Sequence, residues 1–375
     1  MSNYQICKRC VMDNAGDAEI TFDENGYCNY CTEAIRLRKQ SPKPGDMSGL
    51  SALFEKIKAD CKDAQYDCLI GISGGLDSSY VAYLGYQHGM RMLGIHIDDG
   101  LDTEIAKANV KNLCEKAGVT LINVCPDAEQ YRDLTLSFFK AGVPNLAIPQ
   151  DNLILAALTD VTKKYRLKYI LHGSNLAMES ILQSGNTYTA ADDVHIRAIQ
   201  KRFSGKPIDK LRLLSTFENS IQRRLRKDVI TVKPLNLIDY NFERAVLELE
   251  KFCGYHYYGG KHHESILTRF MQCYYLPVKF GVDKRKSHLS SLIISGQITR
   301  EEALERLKEP LYPSEAMKEA DFNDLASFLG LSRKEFDTII EAPPHSHDEY
   351  NKSFLSSKLV PFVLRYRHIL RIPMN

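Results

Sequence analysis

The sequence predicts an α/β fold: a doubly wound, five-stranded parallel sheet lies between a cysteine-rich N-terminal module and a helical C-terminal region. Five short apolar runs alternate with helical segments through the middle of the chain, and this alternation is typical of a parallel sheet with helices on both faces. Two C-x2-C pairs precede the runs, and capped helical segments follow them. At 375 residues the chain is long enough for two or three domains.

The cysteine-rich module is predicted to end near residue 40. Residues 1–40 are rich in Cys, Asn, Asp and Gly and show little helical periodicity. The Pro/Gly stretch at 41–45 is typical of a linker. We therefore predict three domains, at 1–40, 41–250 and 251–375.

Four cysteines of this module form two knuckles, Cys7-x2-Cys10 and Cys28-x2-Cys31. Each knuckle presents two thiolates, and two knuckles complete a tetrahedron around one Zn²⁺. Because all four ligands are sulfur, no position remains for a reactive water, so the predicted zinc is structural and replaces a core that so short a module cannot build. A redox pair is the weaker alternative, because thioredoxin-type motifs are single and follow a strand.

The five apolar runs of the middle domain are the predicted strands. Ligands in open parallel sheets bind beyond the carboxyl ends of the strands, so motifs that directly follow a run are candidate site residues. Helices are predicted between the runs, for example at 77–88 and 103–117. The predicted strands are 66–72, 91–97, 119–124, 168–172 and 229–232.

A Gly-rich loop, SGGLDSS at 73–79, follows the first predicted strand and begins a helix. Its glycines let backbone N–H groups converge on an anion, and the helix N-terminus adds its positive end. The loop is neither G-x4-G-K-[ST] nor G-x-G-x-x-G, which disfavours a Walker A site and a dinucleotide site. The candidate phosphate-binding residues are Ser73, Gly74, Gly75, Asp77, Ser78 and Ser79.

This loop resembles the fingerprint Ser-Gly-Gly-x-Asp-Ser of the ATP pyrophosphatase (PP-loop) superfamily, whose sheet is of the HUP-like type. The resemblance implies that the loop grips the β,γ-pyrophosphate of ATP, that Mg²⁺ assists, and that AMP and pyrophosphate are formed. It also implies nucleotide or Mg²⁺ contacts in HIDDG at 96–100 and in HGSN at 172–175, each of which ends a strand. The implied contacts are Asp98, Gly173, Asn175 and Glu179, although Asp98 and Glu179 are also consistent with plain helix caps.

Two C-terminal segments are dense in titratable groups. In YYGGKHHES at 257–265, Lys261 is a candidate to stabilise developing pyrophosphate, and His262 or His263 to take a proton from an attacking amine. In KFGVDKRKSHLS at 279–290, the cations around Lys284 face either phosphates or water. Asp77 is predicted to orient the loop or a metal rather than to act as a base. The candidate catalytic residues are therefore Asp77, Lys261, His262 and Lys284.

Taken with the knuckles and the loop, these segments resemble the N-acetyl sugar amidotransferases, the WbpG-like family of surface-polysaccharide (lipopolysaccharide O-antigen) biosynthesis. Its members convert an acetamido group of a sugar, typically nucleotide-linked, to an acetamidino group. The resemblance implies ammonia from a glutaminase partner and a cyclase-like partner as conduit, which are similar to the two parts of imidazole glycerol phosphate synthase. No glutaminase signature is visible in this chain, which is consistent with a separate donor.

The composition of the chain bears on its partners, its location and its function. The net charge of +2 does not favour a nucleic-acid partner, and no apolar run reaches a bilayer-spanning length. With no signal-peptide pattern and a metal-type use of cysteine, a cytoplasmic location is expected. A PP-loop enzyme of tRNA thiolation is the alternative function, although the six remaining cysteines form no further C-x-x-C. The segment 197–227 is strongly basic. It is interpreted either as a solvated helix face or as a site for an acidic substrate.

Overall fold

A computed structural model describes residues 4–39, 42–43, 45–183, 186–219 and 229–354. At its centre lies a five-stranded sheet with the order β3-β2-β1-β4-β5, and every neighbouring pair is parallel. The predicted fold class is thereby confirmed. The strands are β1 (Cys68–Gly71), β2 (Met92–Ile97), β3 (Thr120–Val124), β4 (Tyr169–Leu171) and β5 (Ile230–Val232).

Helices precede, connect and follow the strands. Up to β5 they are α1 (Asn29–Arg38), α2 (Ser48–Asp60), α3 (Leu76–Gln87), α4 (Glu104–Ala117), α5 (Ala128–Ala141), α6 (Ile148–Lys164), α7 (Leu176–Glu179) and α8 (Asp193–Phe203). After β5 they are α9 (Phe242–Cys253), α10 (Ile266–Phe270), α11 (Leu276–Phe280), α12 (Arg285–Ile294), α13 (Arg300–Arg306), α14 (Glu315–Leu329) and α15 (Arg333–Glu341). A π-helical turn, Met271–Tyr275, joins α10 to α11.

The strand order reverses next to β1, and this reversal locates the ligand crevice. From β1 the chain winds outward through β2 to β3, then crosses back to place β4 on the other side of β1. Loops leaving β1 and β4 therefore diverge at their carboxyl ends, which is where open α/β sheets bind ligands. The PP-loop-like segment follows β1, so the topology brings it to this crevice.

The C-terminal helices begin as the sequence predicts. Thr299 and Glu302 form a reciprocal capping box at the start of α13, and Ser332 and Glu335 form another at the start of α15. Such caps satisfy backbone N–H groups that the first helical turn leaves unpaired. Among the described residues, no helix combines the length and the apolar character needed to span a bilayer.

The C-terminal helices share a hydrophobic core with the sheet domain. Phe270 of α10 and Phe336 of α15 pack against Phe139 of α5, and Phe322 of α14 packs in turn against Phe270. Fully buried aromatic side chains contribute the largest apolar areas to a core. The position of the C-terminal region is therefore fixed against the sheet domain by packing.

The N-terminal module docks on the C-terminal region through polar contacts. The Arg300 guanidinium donates to the carbonyl oxygens of Cys7 and Cys10 at 3.0–3.3 Å, and the Lys286 ammonium pairs with the buried carboxylate of Asp13. These long-range contacts explain part of the cation cluster at 284–286, since at Lys286 it faces the cysteine-rich module and not a phosphate.

Candidate active site

A cavity of about 700 Å³ opens at the carboxyl edge of the sheet. Its polar end is formed by the Gly-rich loop after β1, the end of β4 and the segment 257–268. Its apolar end is formed by β2, β4 and α6, for instance by Ile95, Ile154 and Leu158. The volume suits a nucleotide-sized ligand with a charged part and an apolar part.

Gly74 permits the tight turn of the loop. Its φ of +77° lies in the left-handed region that favours glycine. A Cβ at this position would lie 2.5 Å from the carbonyl oxygen of Ala106, so α4 packs directly against the loop. The turn ends at Gly75, after which α3 begins with Leu76.

We expect Gly74→Ala to destabilise the protein by about 2 kcal/mol or more, because it adds both left-handed strain and a backbone clash. Gly100→Ala is the matched control, since Gly100 has a φ of +82° but nothing within 4 Å of its Cβ position. Thermal melting of both variants should show the larger loss for Gly74→Ala. Equal losses of stability in the two variants would mean that the contact between position 74 and Ala106 does not contribute.

Two N–H groups of the loop, in residues that line the cavity, donate hydrogen bonds to hydroxyl oxygens. The N–H of Gly75 donates to Ser73 Oγ at 3.2 Å, and the N–H of Leu76 donates to the Tyr258 hydroxyl at 3.1 Å. Ser78 lines the cavity as well. Backbone donors at the start of α3 thus lie at the cavity, where the sequence predicts an anion-binding loop.

Lys261 lies between two carboxylates at the polar end of the cavity. Its Nζ is 3.1 Å from Asp77 Oδ2 and 2.8 Å from Glu179 Oε1. Burial alone would lower the pKa of Lys261, but Asp77 and Glu179 outweigh it and raise that pKa. Asp77 is also fixed by the Tyr240 hydroxyl, which donates to Oδ1 at 2.7 Å. The ammonium group therefore stays charged at the polar end of the cavity.

The same two carboxylates fit a Mg²⁺ ion. Mg²⁺ prefers one or two carboxylates together with phosphate oxygens and water. Asp77 and Glu179 both contact one cation, the ammonium of Lys261, beside the Gly-rich loop, so both carboxylates face a position that already holds a positive charge. These residues would hold the metal that a PP-loop site requires.

His262 lies beside two further carboxylates of the site. Its Nδ1 is 3.7 Å from Glu264 Oε1, and its Nε2 is 3.9 Å from Glu179 Oε1. Burial would lower the pKa of His262, but Glu264 and Glu179 raise it above its ordinary value. The neighbouring His263 contacts Cys273 instead, and burial lowers its pKa to about 4. Of the two histidines, His262 is the one that lines the cavity.

Four acidic residues that line the cavity were not predicted as site residues: Asp102, Asp151, Glu218 and Glu264. Asp151, in the first turn of α6, lines the cavity, and burial raises the pKa of its carboxyl group to about 6. Asp102 lies 3.0 Å from His96 Nε2, while Nδ1 of that ring lies 2.8 Å from the Ile72 carbonyl oxygen. An Asp at a helix start resembles a plain N-terminal charge, so the sequence offers no signal for Asp151.

The predicted site residues fall into two groups. The cavity is lined by Ser73, Gly75, Asp77, Ser78, Gly173, Glu179, Lys261 and His262. The others lie outside its lining: Asp98 is exposed, Asn175 caps α7, Ser79 is fully buried in α3, Gly74 packs on α4, and Lys284 lies near Asp17.

Gly173 supports the loop from the end of β4. A Cβ there would lie 3.0 Å from the backbone nitrogen of Ser78, so only glycine lets β4 approach the start of α3 this closely. Asn175 does not line the cavity and instead caps α7, because its Oδ1 accepts the N–H of Met178 at 2.8 Å. These residues position Glu179 for its contact with Lys261.

The four cysteines of the two knuckles form one buried cluster. The Sγ atoms lie 3.8 Å apart for Cys7 and Cys31 and 3.6 Å apart for Cys10 and Cys28, and all four Sγ atoms lie within 4.8 Å of one another. A tetrahedral Zn²⁺ with bonds of about 2.3 Å holds its sulfur ligands about 3.8 Å apart. The donor set and its spacing are compatible with zinc.

Comparison with known proteins identifies the C-terminal region. Residues 264–361 match the family described as the C-terminal domain of WbpG-like LPS biosynthesis proteins. The match begins at Glu264, whose carboxylate lies in the cavity. It confirms the WbpG-like resemblance over that part of the chain.

The chain is also similar to a curated enzyme and to two solved structures. It is 28% identical over 120 residues to the tRNA-specific 2-thiouridylase MnmA 2 of Fusobacterium nucleatum, a match that covers 30% of this chain and 34% of the relative. The chain thus spans about a third of the length of that relative. This relative supports the placement of the sheet domain in the PP-loop superfamily.

The two structures are weaker matches. NMN synthetase from Francisella tularensis is 12% identical with a TM-score of 0.34, over 88% of this chain and 98% of that one. The NH3-dependent NAD synthetase from Campylobacter jejuni is 15% identical with a TM-score of 0.30, over 56% of this chain and 94% of that one.

Proposed function

We propose that this PP-loop protein with a WbpG-like C-terminal domain is an ATP-dependent amidotransferase, which converts an acetamido group of a sugar to an acetamidino group. The sugar is nucleotide-linked, and the product enters lipopolysaccharide O-antigen or a related surface glycan. One observation carries the proposal: the Gly-rich loop, two carboxylates and Lys261 converge in one cavity at the switch point of the sheet. The match to a family described as WbpG-like LPS biosynthesis proteins supports a role in surface-glycan assembly.

The proposed chemistry proceeds in two steps. The amide oxygen of the acetamido group attacks the α-phosphorus of ATP, the bond to the bridging oxygen breaks, and pyrophosphate leaves. Ammonia then adds to the imidate carbon, the carbon–oxygen bond breaks, AMP leaves, and a proton is released. Adenylation is needed because an amide oxygen is otherwise a poor leaving group.

The residues at the polar end would serve the first step. Backbone N–H groups of the loop, with Ser73 and Ser78, would hold the outer phosphates. Lys261 would offset the charge that develops on pyrophosphate, an interaction that is strong because the ammonium is only 10% exposed. Mg²⁺, when bound at Asp77 and Glu179, would supply further charge neutralisation.

The apolar end would protect the intermediate. Water that reached the imidate adenylate would hydrolyse it back to the amide, so the second step needs a site from which water is excluded. Side chains such as Ile154, Leu155 and Leu158 line this end from α6. Asp151 lies one turn earlier on the same face and is a candidate to accept the proton lost from the attacking nitrogen.

Ammonia is proposed to come from a glutaminase partner, with a cyclase-like partner as conduit, in the cytoplasm. The proposed zinc is structural, because its four thiolate ligands lie outside the cavity lining.

The basic segment 197–227 lies partly outside the described residues, and its described part contains ion pairs of Arg212 with Asp160 and Glu218. Further ion pairs join Arg197 to Asp193, Lys206 to Asp133 and Lys210 to Asp127, so four cations of the segment are paired within the protein.

A second candidate function is tRNA thiolation, which the 28% match to a 2-thiouridylase favours. Sulfur transfer requires a reactive thiolate near the nucleotide. Of the six cysteines outside the cluster, all of which are described, none lines the cavity. Burial raises the pKa of Cys61, Cys114 and Cys273, which makes these thiols less nucleophilic. The geometry therefore supports amidation over thiolation.

Turnover with a panel of substrates tests the proposal. The protein is incubated with ATP, Mg²⁺, ammonium chloride and a set of acetamido nucleotide sugars, and a parallel reaction contains bulk tRNA and a sulfide source. We expect AMP in one sugar reaction, together with a product lighter by the difference between an oxygen atom and an NH group. AMP formation with tRNA alone would replace amidation by thiolation, and no AMP in any reaction would contradict both.

A further inference from the structure

A short segment of the C-terminal region fills the phosphate loop. We call residues 258–264 the plug segment. Its Tyr258 hydroxyl accepts the N–H of Leu76 at 3.1 Å, and its Glu264 Oε1 lies 3.5 Å from Ser73 Oγ. A Cβ built on Gly75 would lie 2.9 Å from that same carboxylate oxygen. Oxygen atoms of the plug segment therefore occupy the concave face of the loop, where a phosphate would sit.

The carboxylate is charged at this position. Burial would raise the pKa of Glu264, but His262 and the Tyr258 hydroxyl outweigh it and lower that pKa. A helix N-terminus and converging N–H groups favour an anion whether it is a carboxylate or a phosphate. Glu264 is thus an anion held at an anion site.

The same segment also supplies a cation. Lys261 bridges Asp77 and Glu179 at 3.1 and 2.8 Å, and these carboxylates are the oxygen ligands that would hold a divalent metal. One segment therefore places a hydroxyl and a carboxylate at the anion position and an ammonium at the cation position. The arrangement of charges follows that of a magnesium–phosphate group.

We propose that the plug segment mimics magnesium pyrophosphate and keeps the phosphate end of the nucleotide-free cavity occupied and charge-balanced, so that ATP binds only when the plug segment withdraws. The inference deepens the proposed function by adding regulation of the same site, and it rests on that function only in taking a nucleoside triphosphate as the ligand. Withdrawal would free Lys261 to move from the two carboxylates to the phosphates. ATP would then bind at the expense of contacts that the protein already makes.

The backbone of the plug segment is built for such a movement. Gly259 has a φ of +90° with nothing within 4 Å of its Cβ position, and His262 has a φ of +63°, which is unfavourable for a residue with a side chain. The far end is anchored, because the Thr103 N–H donates to the Glu264 carbonyl oxygen at 2.9 Å. Withdrawal therefore requires the main chain of 258–263 to swing about Glu264 while the Glu264 side chain rotates away from Ser73.

Pyrophosphate affinity tests the proposal without any sugar. A ligand that must displace a resident group binds with an apparent Kd equal to its intrinsic Kd divided by the fraction of protein from which that group has withdrawn. Glu264→Gln keeps the shape of the side chain and removes its charge, so we expect magnesium pyrophosphate to bind about tenfold more tightly than to the wild-type protein. Glu301→Gln, an exposed position on α13, is the matched control and should bind like the wild type.

Isothermal titration calorimetry of the three full-length proteins gives distinct outcomes. Tighter binding to Glu264→Gln alone supports the plug. Equal or weaker binding to Glu264→Gln, with clear binding to the wild type, overturns the plug and leaves the proposed function standing. If neither magnesium pyrophosphate nor ATP binds to any of the three proteins, the proposed function fails and the inference fails with it.

The proposed mimicry of the magnesium ion by Lys261 has a separate test. Lys261→Met leaves Asp77 and Glu179 without their counter-ion, so a divalent metal should bind without nucleotide. We expect the variant to bind Mn²⁺, observed by electron paramagnetic resonance, at least tenfold more tightly than the wild type. No gain in Mn²⁺ affinity by the folded variant overturns the mimicry of the metal. If this variant fails to fold, the Glu264→Gln titration alone decides.

Discussion

Replacing Asp77 by Asn should reduce the rate of pyrophosphate release by about two to three orders of magnitude. The amide keeps the size of the side chain and can still accept the Tyr240 hydroxyl, but it no longer balances Lys261, which lies 3.1 Å away. It also removes one of two carboxylates that fit Mg²⁺. Because both effects act on charge that develops as the α-phosphorus bond breaks, the loss should appear mainly in kcat.

The rate is measured by coupled pyrophosphate detection with the acetamido sugar that supports turnover of the wild-type protein. Asp324→Asn, which changes an exposed carboxylate on α14, is the matched control and should retain wild-type kcat. Circular dichroism of both variants should match that of the wild type, because Asp77 lies at the start of α3 and outside the apolar core. A kcat for Asp77→Asn within threefold of the wild type would remove Asp77 from the catalytic centre.

The sheet could be predicted from the sequence because its signal is local. Each strand is a short apolar run followed by Gly or polar residues, and a buried parallel strand requires such a run. The five predicted strands overlap the five observed ones, and the helix predicted at 77–88 is observed at Leu76–Gln87. The turn of the Gly-rich loop at 73–79 could be predicted for the same reason, since its form is set by consecutive residues.

The orientation of individual side chains could not be predicted in the same way. The sequence offers Asp98 and Asp99 as neighbours after β2, and it predicts the nucleotide contact at Asp98. In the structure Asp98 is exposed, while Asp99 is buried and accepts hydrogen bonds from Tyr131 and Gln150 at 2.7 Å. Which of two adjacent carboxylates faces inward depends on α5 and α6, and no local pattern encodes that packing.

Contacts between segments that are distant in the sequence could likewise not be predicted from local patterns. Glu264 meets Ser73 across a separation of 191 residues, and Lys286 meets Asp13 across a separation of 273. The motif around Lys261 showed that titratable groups are dense there, but only the fold shows that Lys261 faces carboxylates. The cluster at 284–286 was dense for another reason, because there Lys286 holds the N-terminal module.

Removal of the proposed zinc should produce the largest loss of stability in this protein. A structural zinc with four thiolate ligands contributes about 10 kcal/mol or more to the folding of a small module, because the module cannot form its site without the metal. The buried core around the cysteines is small and includes little beyond Met12, Ile20 and Ala34 of the module itself. We therefore expect Cys28→Ser to unfold the module and to lower the melting temperature by about 10 °C or more.

The effect should extend past the module, because the C-terminal region depends on it for hydrogen bonds. Arg300 donates to the carbonyl oxygens of Cys7 and Cys10 at the knuckle. If the knuckle unfolds, this guanidinium loses its partners, and α13 and α12 lose the surface against which they pack. Cooperative unfolding should therefore begin at a lower temperature than in the intact protein, and dialysis against a strong chelator should reproduce the effect of Cys28→Ser.

Cys125→Ser is the matched control, since Cys125 is an exposed cysteine outside the cluster. It should retain the wild-type melting temperature and, by elemental analysis, one zinc per chain, whereas Cys28→Ser should retain little or none. A Cys28→Ser protein that melts like the wild type would show that packing on α12 and α13 holds the module without a metal. The four sulfurs would then be an ordinary buried cluster, and the separation of a structural N-terminal module from the catalytic cavity would need a different physical basis.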